Sequence, residues 1–130
     1  MLFFPSPFRR KLIMFILELR NKLFIYQAKC QRLMEEQTEC AERNFHKFYL
    51  NNDLRDVIID LEGVKVVTSR FISWLLLIRQ QASAKNGVLL LCSVSDHVLG
   101  QLRRLNLLGL LPRAINLPGA RRWIYSIGRN

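Results

Sequence analysis

The sequence predicts a single α/β domain in which strands and helices alternate along the chain. Two apolar runs, Val57–Leu61 and Val88–Cys92, are typical of buried strands, and a segment with helical character follows each of them. A chain of 130 residues, 50% of them hydrophobic, is long enough for one core and too short for two ordinary domains. We expect residues 12–127 to form this domain and residues 1–11 to be an N-terminal extension.

The first part of the domain predicts two short strands followed by a surface helix. Leu12–Leu19 and Leu23–Gln27 are rich in Phe, Ile and Leu, and the polar segment Arg20–Lys22 between them suits a turn. From Ala28 to about Phe48, charged residues alternate with spaced apolar ones, which indicates a helix with one buried stripe. The polar residues Asn51–Asp53 end this segment.

A strand, a short apolar segment and a helix are predicted in the middle of the chain. The strand covers Val57–Leu61, the apolar segment covers Val64–Val67, and the helix runs from about Arg70 to Ala84. Asn86-Gly87 follows the helix, and this pair suits a left-handed C-terminal cap.

The last third of the chain continues the alternation. After the strand Val88–Cys92, Ser95 can cap a helix that runs from Asp96 to about Asn106, with Asp96 stabilised by the helix dipole. A short strand near 114–116 and a final helix over about 118–127 complete the prediction, with a proline close to the start of that helix.

Positive charge is concentrated at the C-terminal end. The net charge is +10, and residues 97–130 contain no Asp or Glu. Such a region could meet nucleic acid, anionic lipid or an acidic protein, or it could be the arginine-rich surface of a soluble domain. The arginines of this region are Arg103, Arg104, Arg113, Arg121, Arg122 and Arg129.

The three cysteines favour a reduced, cytoplasmic compartment. Cys30, Cys40 and Cys92 are odd in number and lack the close spacing of zinc ligands, so we expect neither a disulfide framework nor a metal site. Cys92 lies in an apolar run and is expected to be a core residue. The apolar runs near the N-terminus are far shorter than the roughly 20 residues that span a bilayer, so no membrane segment is predicted.

The sequence gives little support for an enzyme. His46 and His97 have no Ser, Cys or carboxylate partner at an informative spacing and are expected on the surface. Asp60 and Glu62 straddle a strand end and should share one face, but a single carboxylate pair is weak evidence for metal binding or acid–base chemistry. Gly63 stands alone rather than in a phosphate-binding loop, and no cofactor is expected.

Four motifs in the second half of the chain together resemble the STAS domain family. They are IDLEGV at Ile59–Val64, Ser69 at the start of the next helix, Asn86-Gly87 before an apolar strand, and LNLLGLLPRAI at Leu105–Ile115. The best-known members of this family are bacterial anti-sigma-factor antagonists. The resemblance implies a STAS-like fold, with a mixed central sheet of about four to five strands and about four helices.

In that family the loop after the central strand usually reads Asp-Ser-Ser-Gly, and its first serine is phosphorylated in partner-switching systems. The matching residues here are Thr68, Ser69, Arg70 and Phe71, so the serine is kept while the acid and the glycine are lost. The resemblance implies that Ser69 is the candidate phosphoacceptor. The residues themselves support this position, because a phosphate on Ser69 would lie beside free backbone N–H groups at the helix N-terminus and next to Arg70. The resemblance also implies a partner that is a serine kinase and anti-sigma factor, or a related switch protein; ATP would belong to that kinase.

The residues themselves leave a simpler interpretation open, in which Thr68 or Ser69 only caps the helix. The helix after Ser69 has more apolar residues than one buried stripe needs, and we expect Phe71 and Trp74 to be exposed. Thr68, Arg70, Phe71 and Trp74 are therefore the predicted partner-binding residues. A thicker core, a covering by the N-terminal extension and a homodimer through this helix remain alternatives.

Two other functions stay open. STAS domains also serve as accessory subunits of membrane transport complexes, and a basic face near lipid headgroups would suit that role. Nucleic-acid binding would follow from the arginine-rich region, but it is less favoured because only Trp123 and Tyr125 could stack on bases there.

Overall fold

The computed structural model describes residues 2–5 and 13–128, which form three layers. A mixed β-sheet lies in the middle, three helices cover one face of it, and the last helix covers the other. The helices are α1 (Glu35–Tyr49), α2 (Ser69–Ala84), α3 (Asp96–Arg104) and α4 (Leu117–Ser126). The strands are β1 (Leu2–Pro5), β2 (Ile13–Glu18), β3 (Leu23–Ala28), β4 (Arg32–Leu33), β5 (Asp56–Asp60), β6 (Val66–Val67), β7 (Leu89–Cys92) and β8 (Arg113–Ala114).

The main sheet has the strand order β1-β2-β3-β5-β7-β8. The pairs that β2 makes with β1 and β3 are antiparallel, and the remaining pairs are parallel. The predicted STAS-like α/β class, with a mixed sheet and four helices, is confirmed. One strand of the sheet, β1, comes from the stretch that was predicted as an extension, and it pairs with β2.

Alternation along the strands divides the core between the two faces of the sheet. In β5, Val57 and Ile59 pack with residues of α1, α2 and α3, while Ile58 packs with Ala120 and Ile124 of α4. All five residues of β5 are buried because helices cover both faces. This arrangement explains the nearly continuous apolar run in the sequence.

The prediction that the first helix begins at Ala28 is wrong. α1 begins at Glu35, and Gln37 turns its side chain back to accept the N–H of Met34 (3.2 Å). The preceding residues Arg32–Leu33 form β4, which pairs in parallel with β6 as a separate two-stranded sheet. The partner strand lies more than 30 residues away, so local spacing could not reveal this pairing.

The other helix boundaries follow their local signals closely. Ser95 accepts the N–H of Val98 (3.3 Å) and caps α3, and Asn86 adopts a left-handed conformation (φ 60°) after α2, as predicted. Asn116 caps α4 by accepting the N–H of Gly119 (2.9 Å), and Pro118 lies in the first turn. Among the described residues, no helix combines the length and apolar content needed to cross a membrane.

Candidate functional site

Ser69 is the first residue of α2 and is exposed to solvent. The residue before it, Thr68, is half-buried and caps the helix, because its hydroxyl oxygen accepts the N–H of Phe71 (3.2 Å). The sequence left open whether Thr68 or Ser69 would cap α2, and the structure assigns this role to Thr68. The hydroxyl of Ser69 therefore lies at the helix N-terminus without serving as its cap.

Hydrogen bonds from two neighbouring elements hold the segment before Ser69 in place. Thr68 donates its N–H to the carbonyl oxygen of Leu33 (3.3 Å). Gln101 of α3 pairs its side-chain amide with both backbone groups of Val67, and Ser95 donates its hydroxyl to the carbonyl oxygen of Val64 (2.9 Å). The position of Ser69 is thus fixed by contacts with β4 and α3.

Arg70 links α2 to α1 through two ion pairs. Its guanidinium lies 2.7 Å from the carboxylate of Glu42 and 3.2 Å from that of Glu35. These hydrogen bonds, the one with Glu42 first, raise the pKa of Arg70. The sequence suggested that Arg70 would be available to a phosphate on Ser69, but its charge is already balanced by two carboxylates.

Phe71 and Trp74 are buried, so the prediction that they are exposed is wrong. Their exposed fractions are 0% and 3%. Trp74 contacts Tyr26 of β3 and Phe45 of α1 edge-on, at ring-centroid distances of 5.7 and 5.9 Å, and Phe71 lies 5.5 Å from Trp74. Because α2 packs against both the sheet and α1, it needs a wider apolar arc than a helix with one contact. The bulk of Phe71 lies in the core, so it does not cover the exposed Ser69.

Other apolar side chains form the exposed surface beside Ser69. Val66 is exposed because alternation buries only Val67 in β6, and Met34 follows β4, which pairs with β6. Ser73 and the 49%-exposed Leu77 lie four and eight residues after Ser69, on the same side of α2. We call this group of residues the α2 surface: Met34, Val66, Ser69, Ser73 and Leu77.

Sequence reasoning overlooked most of the α2 surface. The alternation in Val66-Val67 and the four-residue spacing from Ser69 through Ser73 to Leu77 were readable signals. For Met34 no such signal exists, since its place beside Ser69 depends on the pairing of β4 with β6.

The electrostatic setting at the start of α2 suits an anion. The first turn of α2 contains no acidic residue, and the helix dipole places a partial positive charge there. Glu35 and Glu42, which reach this end of α2 from α1, are paired with Arg70.

Asp60 and Glu62 do not form an acid–base pair. The strand ends at Asp60, so Glu62 lies in the following turn and is exposed, while Asp60 is buried. The Asp60 carboxylate accepts the side-chain amide of Gln27 (3.2 Å) and the N–H of Glu62 (3.1 Å), which gives it a structural role. The expectation that both carboxylates share one face is wrong because β alternation stops at the strand end.

Cys92 is buried in the core, as predicted. Burial, together with the neighbouring Asp60, raises the pKa of its thiol to about 12, so the thiol stays protonated near neutral pH. His46 and His97 are exposed, also as predicted. Within residues 2–5 and 13–128, no group of three or more His, Cys, Asp or Glu side chains could hold a metal ion.

The STAS domain model matches residues 8–118 of the chain. Among solved structures, an anti-sigma-factor antagonist (STAS) domain protein from Planctomyces limnophilus is 26% identical, with 88% of this chain and 98% of that one covered and a TM-score of 0.77. The unphosphorylated form of the anti-sigma factor antagonist SpoIIAA is 16% identical, with coverage of 88% and 99% and a TM-score of 0.74. An anti-sigma factor antagonist homologue from Thermotoga maritima is 16% identical, with coverage of 85% and 94% and a TM-score of 0.70. No curated protein sequence matches the chain significantly.

Proposed function

This chain belongs to the STAS domain family, and from that membership we propose that it is a non-enzymatic regulatory module of the bacterial cytoplasm. It binds a protein partner through the α2 surface, and phosphorylation of Ser69 switches that binding. The observation that carries this proposal is the position of Ser69, which is exposed at the first residue of α2 while Thr68 provides the cap.

Phosphorylation at Ser69 would change the charge of the α2 surface without disturbing the cap. A phosphoserine carries nearly two negative charges at neutral pH. It would lie at the positive end of the α2 dipole and next to Arg70, which Glu35 and Glu42 already hold. The added charge would compete with these glutamates for Arg70 and would repel acidic groups of a docked partner.

The α2 surface has the mixture of exposed apolar and polar groups that suits regulated binding. Met34, Val66 and Leu77 provide apolar area. Ser69 follows β6 closely in the chain and lies on the same side of α2 as Leu77. A charge introduced inside such a contact is costly because it loses solvation when the partner binds. Phe71 and Trp74 are omitted from this surface because they are buried.

The partner we propose is a serine kinase that also acts as an anti-sigma factor, or a related switch protein. The similarity to the Planctomyces limnophilus anti-sigma-factor antagonist domain supports this class. In such a pair the kinase supplies ATP, and this chain contributes the serine and the docking surface.

An affinity pull-down of the tagged protein from its own cells, with mass spectrometry, tests the proposal. We expect the parent and Ser69→Ala to recover a serine kinase, and Ser69→Asp and Leu77→Ser to lose it. Leu50→Ser, at the far end of α1 from Ser69, is the matched control and should retain it. If Ser69→Ala and Ser69→Asp hold every partner as tightly as the parent, phosphorylation of Ser69 does not switch binding. If Leu77→Ser holds every partner as tightly as the parent, the α2 surface is not the binding site.

An accessory role in a membrane transport complex is the second candidate. It is favoured by the loop Thr68–Phe71, which keeps one of the four residues of the family's phosphorylation motif. This role would be supported if the pull-down recovers transporter subunits and the same mass spectra show Ser69 without phosphate.

A further inference from the structure

Several exposed apolar side chains lie in the C-terminal segment that contains the edge strand β8. Of the ten large hydrophobic side chains that are exposed in the described part of the chain, five lie between residues 105 and 125. Ile115, directly after β8, is 90% exposed, and Trp123 of α4 is 45% exposed. A soluble domain gains nothing in stability from side chains that protrude in this way, so the cluster indicates a binding surface.

Leu110 and Ile115 flank β8, which is the last strand of the sheet. The turn Leu108–Leu110 leads into β8, and Arg113 donates from its guanidinium to the carbonyl oxygens of Leu108 and Leu111 (3.1 and 3.0 Å). Leu110 also lines a shallow cleft with Arg79 of α2. The edge of the sheet therefore presents Leu110, Arg113 and Ile115 in succession.

Trp123 lies on the side of α4 that faces this edge. Ala120 and Ile124 point into the sheet, and Arg121 and Tyr125 both reach Glu18 of β2 on the opposite side of the helix. Since successive helical residues are rotated by about 100°, Trp123 projects away from β2 and towards β8.

Arg122 adds positive charge on the same flank of α4. Its guanidinium lies beside Gly119, the residue one turn before Trp123. We call the whole group the β8 face; it is the surface at the sheet edge, with Arg79 on the side of α2 and Arg122 and Trp123 on the side of α4. Its members are Arg79, Leu110, Arg113, Ile115, Arg122 and Trp123.

The β8 face is positively charged, and the C-terminal segment that forms most of it has no acidic side chain to neutralise this charge. Residues 97–130 contain six arginines and no acidic residue. Arg121 is excluded from the face because it pairs with the buried carboxylate of Glu18 (2.9 Å). Arg113 donates to carbonyl oxygens, which carry no net charge.

We propose that the β8 face binds the surface of an anionic lipid bilayer. Ile115 and Trp123 enter the headgroup region, where Trp is favoured, and the arginines pair with lipid phosphates while their stems lie along the apolar boundary. Each basic side chain near an anionic leaflet contributes favourable electrostatic free energy to binding, and salt weakens this contribution.

Lipid fits this surface better than nucleic acid or an acidic protein. Stacking on bases needs aromatic rings on a common platform, but Trp123 and Tyr125 lie on opposite flanks of α4, and the Tyr125 hydroxyl donates to Glu18. A protein partner would need a shaped pocket for each protruding side chain, whereas a bilayer interface accepts apolar side chains such as Ile115 wherever they protrude. The β8 face shares no residue with the α2 surface, so this proposal does not depend on the proposed function.

Vesicle flotation of the full chain tests the proposal, with vesicles of phosphatidylcholine alone and of phosphatidylcholine mixed with phosphatidylglycerol. We expect binding only to the mixed vesicles and its loss at high salt. Arg79→Gln/Arg122→Gln should weaken binding by roughly tenfold or more, and Ile115→Ser/Trp123→Ser should abolish flotation. The matched controls Arg43→Gln and Leu50→Ser, both exposed on or next to α1, should bind like the parent.

Tryptophan fluorescence gives a second readout. Trp74 is buried and should not respond, so a blue shift on adding mixed vesicles would report Trp123, and Trp123→Phe should remove it. The proposal is overturned if the parent ignores the mixed vesicles, if the β8-face variants bind as well as the controls, or if the chain binds an oligonucleotide or acidic peptide but no vesicle.

Discussion

The side-chain amide of Gln101 pairs with Val67 as a neighbouring strand would. Its Nε2 donates to the Val67 carbonyl oxygen (3.0 Å), and its Oε1 accepts the Val67 N–H (3.3 Å). A side chain of α3 thereby satisfies both backbone groups of the residue that comes two positions before Ser69. The stability of the candidate site is thus linked to a helix that does not itself contribute to the α2 surface.

Replacing Gln101 by Leu should destabilise the domain. The substitution keeps the size of the side chain but leaves the N–H and C=O of Val67 without these partners, at a cost of about 1–3 kcal/mol in the free energy of unfolding. Urea unfolding measures this cost, and amide hydrogen exchange at Val67 should become faster. Gln80→Leu, at an exposed position of α2, is the control; equal unfolding midpoints for the two variants would contradict a structural role for Gln101.

Trp74 and Leu77 should behave in opposite ways when truncated. Trp74→Ala removes a ring packed on Tyr26 and Phe45 and should cost about 3–5 kcal/mol of unfolding free energy. Leu77→Ala removes exposed apolar surface and should change stability by less than about 0.5 kcal/mol while weakening partner binding. Thermal unfolding combined with the pull-down separates the two effects, and a stable Trp74→Ala variant would speak against its burial.

Gly87 should not tolerate a side chain, although its backbone conformation is ordinary. A Cβ atom there would lie 2.1 Å from the carbonyl oxygen of Arg55, and the backbone would have to move. We expect Gly87→Ala to lower the unfolding free energy by about 2–3 kcal/mol. Gly109→Ala is the matched control, because its Cβ would meet no atom within 4 Å. If Gly87→Ala and Gly109→Ala have similar unfolding free energies in chemical denaturation, the backbone at Arg55 can move to accommodate the added Cβ atom.

The elements that could be predicted are those whose signals are local. The helix cap at Ser95 and the left-handed Asn86 are determined by neighbouring residues, and both are confirmed. The interactions that were missed join distant parts of the chain: Arg70 pairs with glutamates 28 and 35 residues away, and Gln101 reaches Val67 across 34 residues.

The error at Phe71 and Trp74 has the same origin. Counting apolar residues on α2 correctly indicated that one stripe could not hold them all, but it could not show that α1 covers the second stripe. Ser69 was found because a hydroxyl pair at a strand-to-helix junction is a local signal, whereas the choice of Thr68 as the cap depends on the exact start of α2.

The hydrogen bond from Tyr125 to Glu18 should contribute to the free energy of unfolding by an amount that changes with pH in the alkaline range. Burial, followed by this hydrogen bond, raises the pKa of Tyr125 from 10.0 to about 12. A folded-state pKa above the unfolded value means that the contribution is complete below pH 10 and is lost as the pH rises through about 12. The reason is that ionised Tyr125 cannot donate and repels the Glu18 carboxylate.

Tyr125→Phe should therefore cost about 1 kcal/mol at neutral pH, a modest value because the ring is half exposed. The difference in unfolding free energy between the parent and this variant should narrow between pH 10 and pH 12. The raised pKa values of Tyr49 and Cys92 are common to both proteins, so they cancel in that difference. Ser126→Ala, which removes an exposed hydroxyl of the same helix, should show a constant difference from the parent. If the difference in unfolding free energy between the parent and Tyr125→Phe stays constant from pH 10 to pH 12, the hydrogen bond from the Tyr125 hydroxyl to Glu18 does not contribute to stability.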